Sequence, residues 1–193
     1  MRTPTLGGFL ITLVLATAAL PAAGQMSVDT SRSKVTIRVD KSGLFSAFAH
    51  NHTIEAPIAS GQLDAEKRTV TLTFHARDMR VLDPGTKESE RAEIDQTMKS
   101  DKVLAAERFP EIRFVSTEVT PQEADRYRVR GDLTLHGVTK PVEVSVAMAK
   151  GRYNGSVKLK QTDFGIAPVN IAGGAVKVKD VIEIIFEIVS GQN

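Results

Sequence analysis

The stretch Gly131–Met148, GDLTLHGVTKPVEVSVAM, predicts two β-strands joined by a tight turn. Leu133 and Leu135 alternate with polar residues in its first half, and apolar residues again occupy every second position from 142 to 148. Such a period of two is typical of strands with one buried and one solvated face. Gly137 supplies the backbone freedom of a turn, and Pro141 suits the first residue of a strand. Because no nucleophile, carboxylate pair or phosphate-binding loop lies here, the stretch is interpreted as scaffold.

The same alternation recurs along most of the chain. Many short alternating segments separated by turn signals predict an antiparallel barrel or sandwich, hence an all-β fold. No internal repeat or linker divides the chain, and its 193 residues suit one domain. The predicted strands are 35–39, 44–54, 58–63, 69–79, 112–116, 127–135, 141–148, 152–161 and 180–189.

One segment departs from the strand pattern. After the turn signal Asp83-Pro84-Gly85, residues 88–104 are rich in charge, and their apolar residues follow helical spacing. Thr86 is the expected N-cap, since acidic residues follow it and favour the positive end of a helix dipole. We therefore expect one α-helix over 88–104 that flanks or caps the sheet.

The N-terminus is typical of a signal peptide. Arg2 gives a short positive region, Phe9–Leu20 is an apolar run, and Ala22–Gly24 supplies small residues for cleavage. The alternative is a membrane anchor, but the apolar run is shorter than the roughly 20 residues that a spanning helix needs. We expect residues 1–24 to be removed, leaving 25–193 as a single domain of a periplasmic or secreted protein.

Composition excludes several functional classes. The chain has no cysteine, which rules out a lipid-modified N-terminal cysteine, thiol catalysis and cysteine-based metal sites. Its formal net charge is only +2, whereas nucleic-acid-binding proteins normally carry a clustered basic patch. No nucleic-acid partner is therefore expected. No serine-elbow, zinc-protease or phosphate-loop motif occurs, and no catalytic role is predicted.

Four stretches together resemble the YceI-like family of exported bacterial proteins. They are MKSD at 98–101, FPEIRFVS at 109–116, GDLTLHGVTKPV at 131–142 and TDFGI at 162–166. The resemblance implies an extended antiparallel lipocalin-like β-barrel, in which some members hold a long polyisoprenoid. For this chain it implies a bound hydrophobic amphiphile, such as a polyisoprenoid, an isoprenoid quinone or a fatty-acid derivative, with no cofactor required. It also implies a homodimer and transient membrane contact during ligand exchange.

A His-x-His pair distinguishes this chain from the usual family pattern and suggests a subgroup. His50 and His52 lie two residues apart in a predicted strand, so both rings would project from the same face. They could hydrogen-bond to the hairpin and rim the barrel mouth, anchor the polar head of a ligand, or bind a transition metal together with His75 or His136. The last alternative would make the protein a metal-binding protein, or a hydrolase or redox enzyme. Otherwise His136 is expected to bond the backbone of its turn, and His75 to face solvent.

A set of apolar residues is predicted to line the barrel, although an ordinary filled core is the alternative. The chain has no tryptophan, two tyrosines and eight phenylalanines, and small residues such as Gly131 fall on inward positions. Small barrels either fill their interior with side chains or hold one small ligand, and this lean lining favours a cavity. The predicted lining is Phe45, Phe48, Phe74, Leu104, Phe109, Phe114, Leu135, Met148, Phe164, Ile166 and Phe186.

Overall fold

The computed structural model describes residues 24–42, 51–171 and 176–191, which form an antiparallel β-sheet with one α-helix. The predicted all-β class with a single helix is confirmed. The elements are β1 (Gln25–Ser27), β2 (Lys34–Ser42), β3 (His52–Glu55), β4 (Ile58–Asp64), β5 (Thr69–His75), β6 (Arg80–Val81), α1 (Glu88–Lys99), β7 (Glu111–Pro121), β8 (Arg126–Leu135), β9 (Val138–Ala149), β10 (Arg152–Lys160), β11 (Asn170–Ile171) and β12 (Val176–Val189).

The sheet curls into a closed barrel. The path β4-β5-β7-β8-β9-β10-β12-β2-β3 returns to its start, since only residues 56–57 separate β3 from β4. The Ala56 N–H donates to the Val35 carbonyl at 2.9 Å and continues the seam between β3 and β2. An antiparallel bridge between Val28 and Ser190 joins the residue after β1 to the residue after β12. With β1–β2, β3–β4 and β5–β6 each taken as one interrupted strand, the wall has eight strands, and the predicted barrel is confirmed.

The barrel has two different ends. Because antiparallel neighbours reverse direction, the β4–β5, β7–β8 and β9–β10 turns share one end, which we call the turn end. The Met148 N–H donates to the Asp125 carbonyl at 2.8 Å there, and the Ser190 N–H donates to the Gly151 carbonyl at 3.1 Å. Helix α1 and the β8–β9 turn lie at the opposite end, which we call the helix end.

The helix is shorter than predicted, and the expectation that Thr86 caps it is wrong. Its N-cap is Lys87, without a side-chain hydrogen bond, and it ends at Lys99 because Ser100 is extended. The chain then folds back, with the Leu104 N–H donating to the Met98 carbonyl at 3.0 Å. Leu104 thus continues the apolar spacing of the helix while lying in a turn, and burial rather than helical geometry explains the pattern.

The predicted Gly131–Met148 hairpin forms, with Leu135 paired to Val138. The expectation that Pro141 begins the second strand is wrong, because β9 starts at Val138 and Pro141 pairs with Asp132 inside it. His136 and Gly137 form its two-residue turn with φ values of 53° and 73°, as tight hairpin turns require. The His136 ring contacts the Phe109 ring edge-on at 4.7 Å, and its Nδ1–H donates to the Phe164 carbonyl at 3.2 Å. His136 therefore bonds backbone as expected, but in the neighbouring 3-10 turn Gln161–Phe164 rather than in its own turn. The hairpin tip is thereby attached to the helix end of the barrel.

Gly131 does not leave a void, contrary to the expectation that small inward residues create the cavity. A Cβ at Gly131 would lie 2.5 Å from Phe114 Cζ and 2.6 Å from the Val115 carbonyl oxygen. Gly155 makes similar room for the ring of Phe186 on β12. The glycines therefore admit phenylalanine rings, and the cavity owes its volume to other positions.

Gly131→Ala is expected to lower the free energy of unfolding by about 1–3 kcal/mol, as overpacking of a core usually does. The Phe114 ring can shift, but the Val115 carbonyl belongs to the sheet backbone and cannot retreat. Urea unfolding monitored by circular dichroism measures the change. Asp132→Ala, at the exposed neighbouring position, is the control and should stay within about 0.5 kcal/mol of the parent. Equal stability of the two variants would contradict the close approach.

Candidate ligand-binding cavity

The barrel encloses a cavity of about 470 Å³. This volume falls within the range of roughly 300–1,000 Å³ that is usual for small-molecule sites. Its wall consists mainly of inward-facing residues of β2, β4, β5, β7, β8, β9, β10 and β12, with a contribution from α1 and the turn after it. These residues include Val35, Ile37, Val39, Leu63, Val70, Leu72, Phe74, Phe114, Val129, Leu133, Leu135, Val142, Val144, Val146, Val157, Leu159, Ile182, Ile184, Phe186 and Ile188.

The wall is apolar along its length, and its few polar residues sit at the two ends. Gln161 lies at the helix end. At the turn end the polar lining residues are Asp64, Arg68, Thr69, Tyr127 and Tyr153. Such a surface offers an elongated apolar molecule burial along its whole chain and hydrogen bonds at its extremities.

The described lining residues close the cavity at the helix end. Met98 and Leu104 are each 7% exposed, and Gln161 is 8% exposed. The Gln161 amide donates to the Lys179 carbonyl at 2.9 Å, which fixes the side chain across the wall. Asp180 holds the same turn, since it accepts hydrogen bonds from the Thr162 hydroxyl at 2.7 Å and the Thr162 N–H at 2.9 Å. These bonds, the hydroxyl first, lower the pKa of the Asp180 carboxyl.

The cavity reaches solvent at the turn end. Ala65 and Arg68 in the β4–β5 turn and Pro121 at the end of β7 line the cavity and are also exposed. All three lie in the turns or strand ends at this end of the barrel, which places the opening there. The opening therefore lies between the β4–β5 and β7–β8 turns.

The predicted lining residues fall into three groups. Six line the cavity, and they are Phe74, Leu104, Phe114, Leu135, Ile166 and Phe186. Phe45 and Phe48 lie outside the described residues. Phe109, Met148 and Phe164 are placed elsewhere by the structure.

Those three residues occupy the ends of the barrel. Phe109 packs on the His136 ring, and Phe164 is 2% exposed within the core of the helix end. Met148 lies at the end of β9 opposite Tyr153, beyond the last β9 residue that reaches the cavity. These residues are buried or half-buried, as a wall residue would be. Residue type alone does not distinguish the packed core from the cavity wall.

The sequence interpretation missed most of the aliphatic wall and all of its polar turn end. Val129, Val144 and Val157 carried the signal, since each occupies an inward position of an alternating strand. Arg68 carried no such signal. It is the last residue of the four-residue turn 65–68, where its φ is 53°, and it lines the cavity.

His52 is paired with a buried carboxylate rather than directed into the cavity. Its Nδ1–H donates to Asp83 Oδ2 at 2.6 Å, and Asp83 is 3% exposed. The second oxygen, Asp83 Oδ1, accepts the Thr53 N–H at 2.7 Å. His52 does not line the cavity, so the structure does not place it as a head-group anchor. His50 lies outside the described residues.

A metal site at the His-x-His pair stays a prediction. Within 24–42, 51–171 and 176–191, no three His, Asp or Glu side chains are grouped to hold a metal ion. His75 is exposed on β5, and the His136 Nδ1–H is already donated to Phe164. No helix within these ranges is long and apolar enough to cross a membrane.

Comparison with known proteins gives consistent matches. The model of the YceI-like domain matches residues 26–190. A UPF0312 protein of Photorhabdus laumondii is 38% identical over 87 residues, which cover 40% of this chain and 45% of the relative. One from Shewanella denitrificans is 34% identical over 107 residues, covering 50% and 56%. The chain thus spans about half the length of the curated relatives that it matches.

Two solved structures share the fold. BcnA of Burkholderia cenocepacia superposes with a TM-score of 0.62 at 20% identity, and the match covers 85% of this chain and 99% of BcnA. A YceI protein of Campylobacter jejuni superposes with a TM-score of 0.50 at 16% identity, covering 100% of both chains. At these identities the likeness supports the architecture alone.

Proposed function

Because this chain belongs to the YceI-like domain family, we propose that it is a binding protein that holds a hydrophobic amphiphile inside its barrel. The ligand class is a polyisoprenoid, an isoprenoid quinone or a fatty-acid derivative. The observation that carries the proposal is the cavity of about 470 Å³, whose wall is almost wholly apolar. Most of the wall consists of apolar side chains, which suits the binding of an apolar chain.

The energetics of such a cavity suit a long apolar chain. Each buried CH₂ group contributes about 0.8 kcal/mol, so ten of them would contribute about 8 kcal/mol before the cost of immobilising the ligand. Affinity of this kind needs no sequence motif, which agrees with the absence of one. The barrel wall keeps the bound chain from water while the open end allows exchange.

The remaining expectations form part of the same proposal. The N-terminal segment would direct the protein to the periplasm or outside the cell, where no soluble route exists for water-insoluble chains. Loading and release would require transient contact with a membrane or with another carrier. A homodimer is proposed on the family resemblance.

Mass spectrometry of an organic extract tests the proposal. The mature protein, purified without detergent, is expected to release a reproducible apolar molecule in near-stoichiometric amount. Delipidated protein should then take up labelled farnesol or a labelled fatty acid with one site per barrel. An extract indistinguishable from that of an unrelated barrel, together with no uptake of either label, would contradict the proposal.

A further inference from the structure

Both tyrosines of the chain lie on the cavity wall at the turn end. Tyr127 near the start of β8 and Tyr153 near the start of β10 flank β9 on either side, opposite Val146 and Met148. Both side chains are half-buried. Burial, with a smaller effect of Tyr127, raises the pKa of the Tyr153 phenol, so it remains protonated and can donate a hydrogen bond at neutral pH. The turn end of a mainly apolar wall thus carries two phenols, one on each of the strands that neighbour β9.

The hydroxyl groups have no partner in the part of the chain that the structure describes. No hydrogen bond joins either one to a side chain or backbone group of residues 24–42, 51–171 and 176–191. No side-chain nitrogen or oxygen of the described residues is both buried and without a partner, so these two hydroxyls are accessible to solvent. They are therefore free to donate to a polar ligand atom at the turn end of the cavity.

Arg68 adds a charged donor at the same end of the cavity. It is exposed, lines the cavity and forms no ion pair with a described carboxylate. Neither Glu66 in the same turn nor Asp64 at the end of β4 forms an ion pair with Arg68. Asp64 is bonded by Lys67, whose N–H donates to Oδ1 at 2.8 Å and whose Nζ lies 3.4 Å from Oδ2. The planar fork of a guanidinium suits a carboxylate or phosphate, which accepts two hydrogen bonds at once.

We propose that Arg68, Tyr127 and Tyr153 form a head-group site for an anionic oxygen, carboxylate or phosphate, of the bound amphiphile. This inference rests on the proposed function and narrows the ligand to acids over alcohols and esters. All three side chains can donate, and an anionic head accepts. The head stays at the open turn end, and the tail extends between the strands towards Met98 and Leu104.

Binding of matched probes to the delipidated mature protein tests the site. In the carboxylate arm, the fluorescent cis-parinaric acid is compared with its methyl ester. In the phosphate arm, farnesyl phosphate and farnesol compete against the fluorescent probe. The variants are Arg68→Gln, Tyr127→Phe and Tyr153→Phe, which keep the shape of the wall while removing a charge or a donor. Arg126→Gln is the control, since Arg126 is exposed on the outer face beside Tyr127.

The expected result is selective loss for the acids. Arg68→Gln should weaken the preferred acid about 10-fold or more, and each tyrosine variant about 3- to 10-fold, in line with charged and neutral hydrogen bonds. Ester and alcohol binding should change less than about twofold. The arm with the larger loss identifies carboxylate or phosphate as the head.

Other outcomes separate this inference from the proposed function. If acid and ester bind equally well to the parent and to every variant, the head-group site is overturned while the apolar carrier stands. If Arg126→Gln weakens the binding of the acid probes as much as Arg68→Gln does, general electrostatic attraction explains their binding and the head-group site is overturned. If no probe binds to the parent at all, the proposed function fails and the head-group site with it.

Discussion

Val157→Trp is expected to lower the affinity for a long-chain ligand by about 100-fold or more while the barrel stays folded. Val157 is half-buried on the inner face of β10, opposite Ile184 on β12, and both side chains line the cavity. An indole in this place would take the volume of several methylene groups of the ligand. Excluding about four of them costs roughly 3 kcal/mol at about 0.8 kcal/mol each, which corresponds to about a 100-fold loss.

Uptake of a fluorescent fatty acid and of labelled farnesol measures the effect, and thermal unfolding checks the fold. Ser156→Trp is the matched control, because Ser156 is the exposed neighbour on the outer face of the same strand. The control should bind as the parent does. Unchanged affinity and stoichiometry in Val157→Trp would show that the ligand does not occupy this cavity, and the proposed function would have to be abandoned.

The sequence predicts the barrel well because alternation reports directly on strands with one buried face. The hairpin around Gly137 appears in register, and Phe74, Phe114 and Phe186 lie on the wall for the reason that the pattern gives. Alternation does not report the position of a residue along the barrel axis. Phe109 and Phe164 therefore fall into the packed helix end although they belong to the same apolar set.

The features that were missed depend on contacts between distant residues. Gly131 is small because the Phe114 ring crosses it, which no local pattern reveals. Leu104 continues the apolar spacing of α1 although the helix has already ended at Lys99. The spacing persists because Leu104 in the turn is as buried as Met98 in the helix. The head-group residues are recognised only by the end of the barrel at which they meet. Arg68 in particular comes from a charged turn that the sequence interpretation left without a role.

The pairing of His52 with Asp83 is another such contact, and it gives His52 a role in the stability of the fold. Asp83 follows Leu82, whose N–H donates to the Thr53 carbonyl at 2.8 Å, so the segment after β6 stays attached to β3. The carboxylate then satisfies the Thr53 N–H and the His52 ring together. Predicted as a candidate ligand, His52 thus serves to hold the connection from the barrel wall to α1.

Asp83→Ala is expected to lower the free energy of unfolding by about 2–4 kcal/mol. Asp83 is 3% exposed, and its removal leaves the Thr53 N–H and the His52 ring without their acceptor. An unsatisfied buried donor costs about 1–3 kcal/mol, and the His52 ring, whose side chain is 26% exposed, adds less. Asp83→Asn should lose clearly less, because the amide oxygen can still accept the Thr53 N–H. The amide N–H can also donate to His52 Nδ1 once the ring takes its other tautomer. Urea unfolding of the three proteins measures the order.

A repeat of the unfolding series with and without a chelator separates the hydrogen-bond role of Asp83 from a metal-supporting role. A carboxylate that orients a metal-bound histidine stabilises the protein only while the metal is present. The hydrogen bonds of Asp83 predict the same loss in Asp83→Ala under both conditions. Asp78→Ala, an exposed acid nearby, serves as the control and should change stability by less than about 0.5 kcal/mol. A loss in Asp83→Ala that disappears on chelation would instead establish His52 as a metal ligand and return the His-x-His pair to metal chemistry.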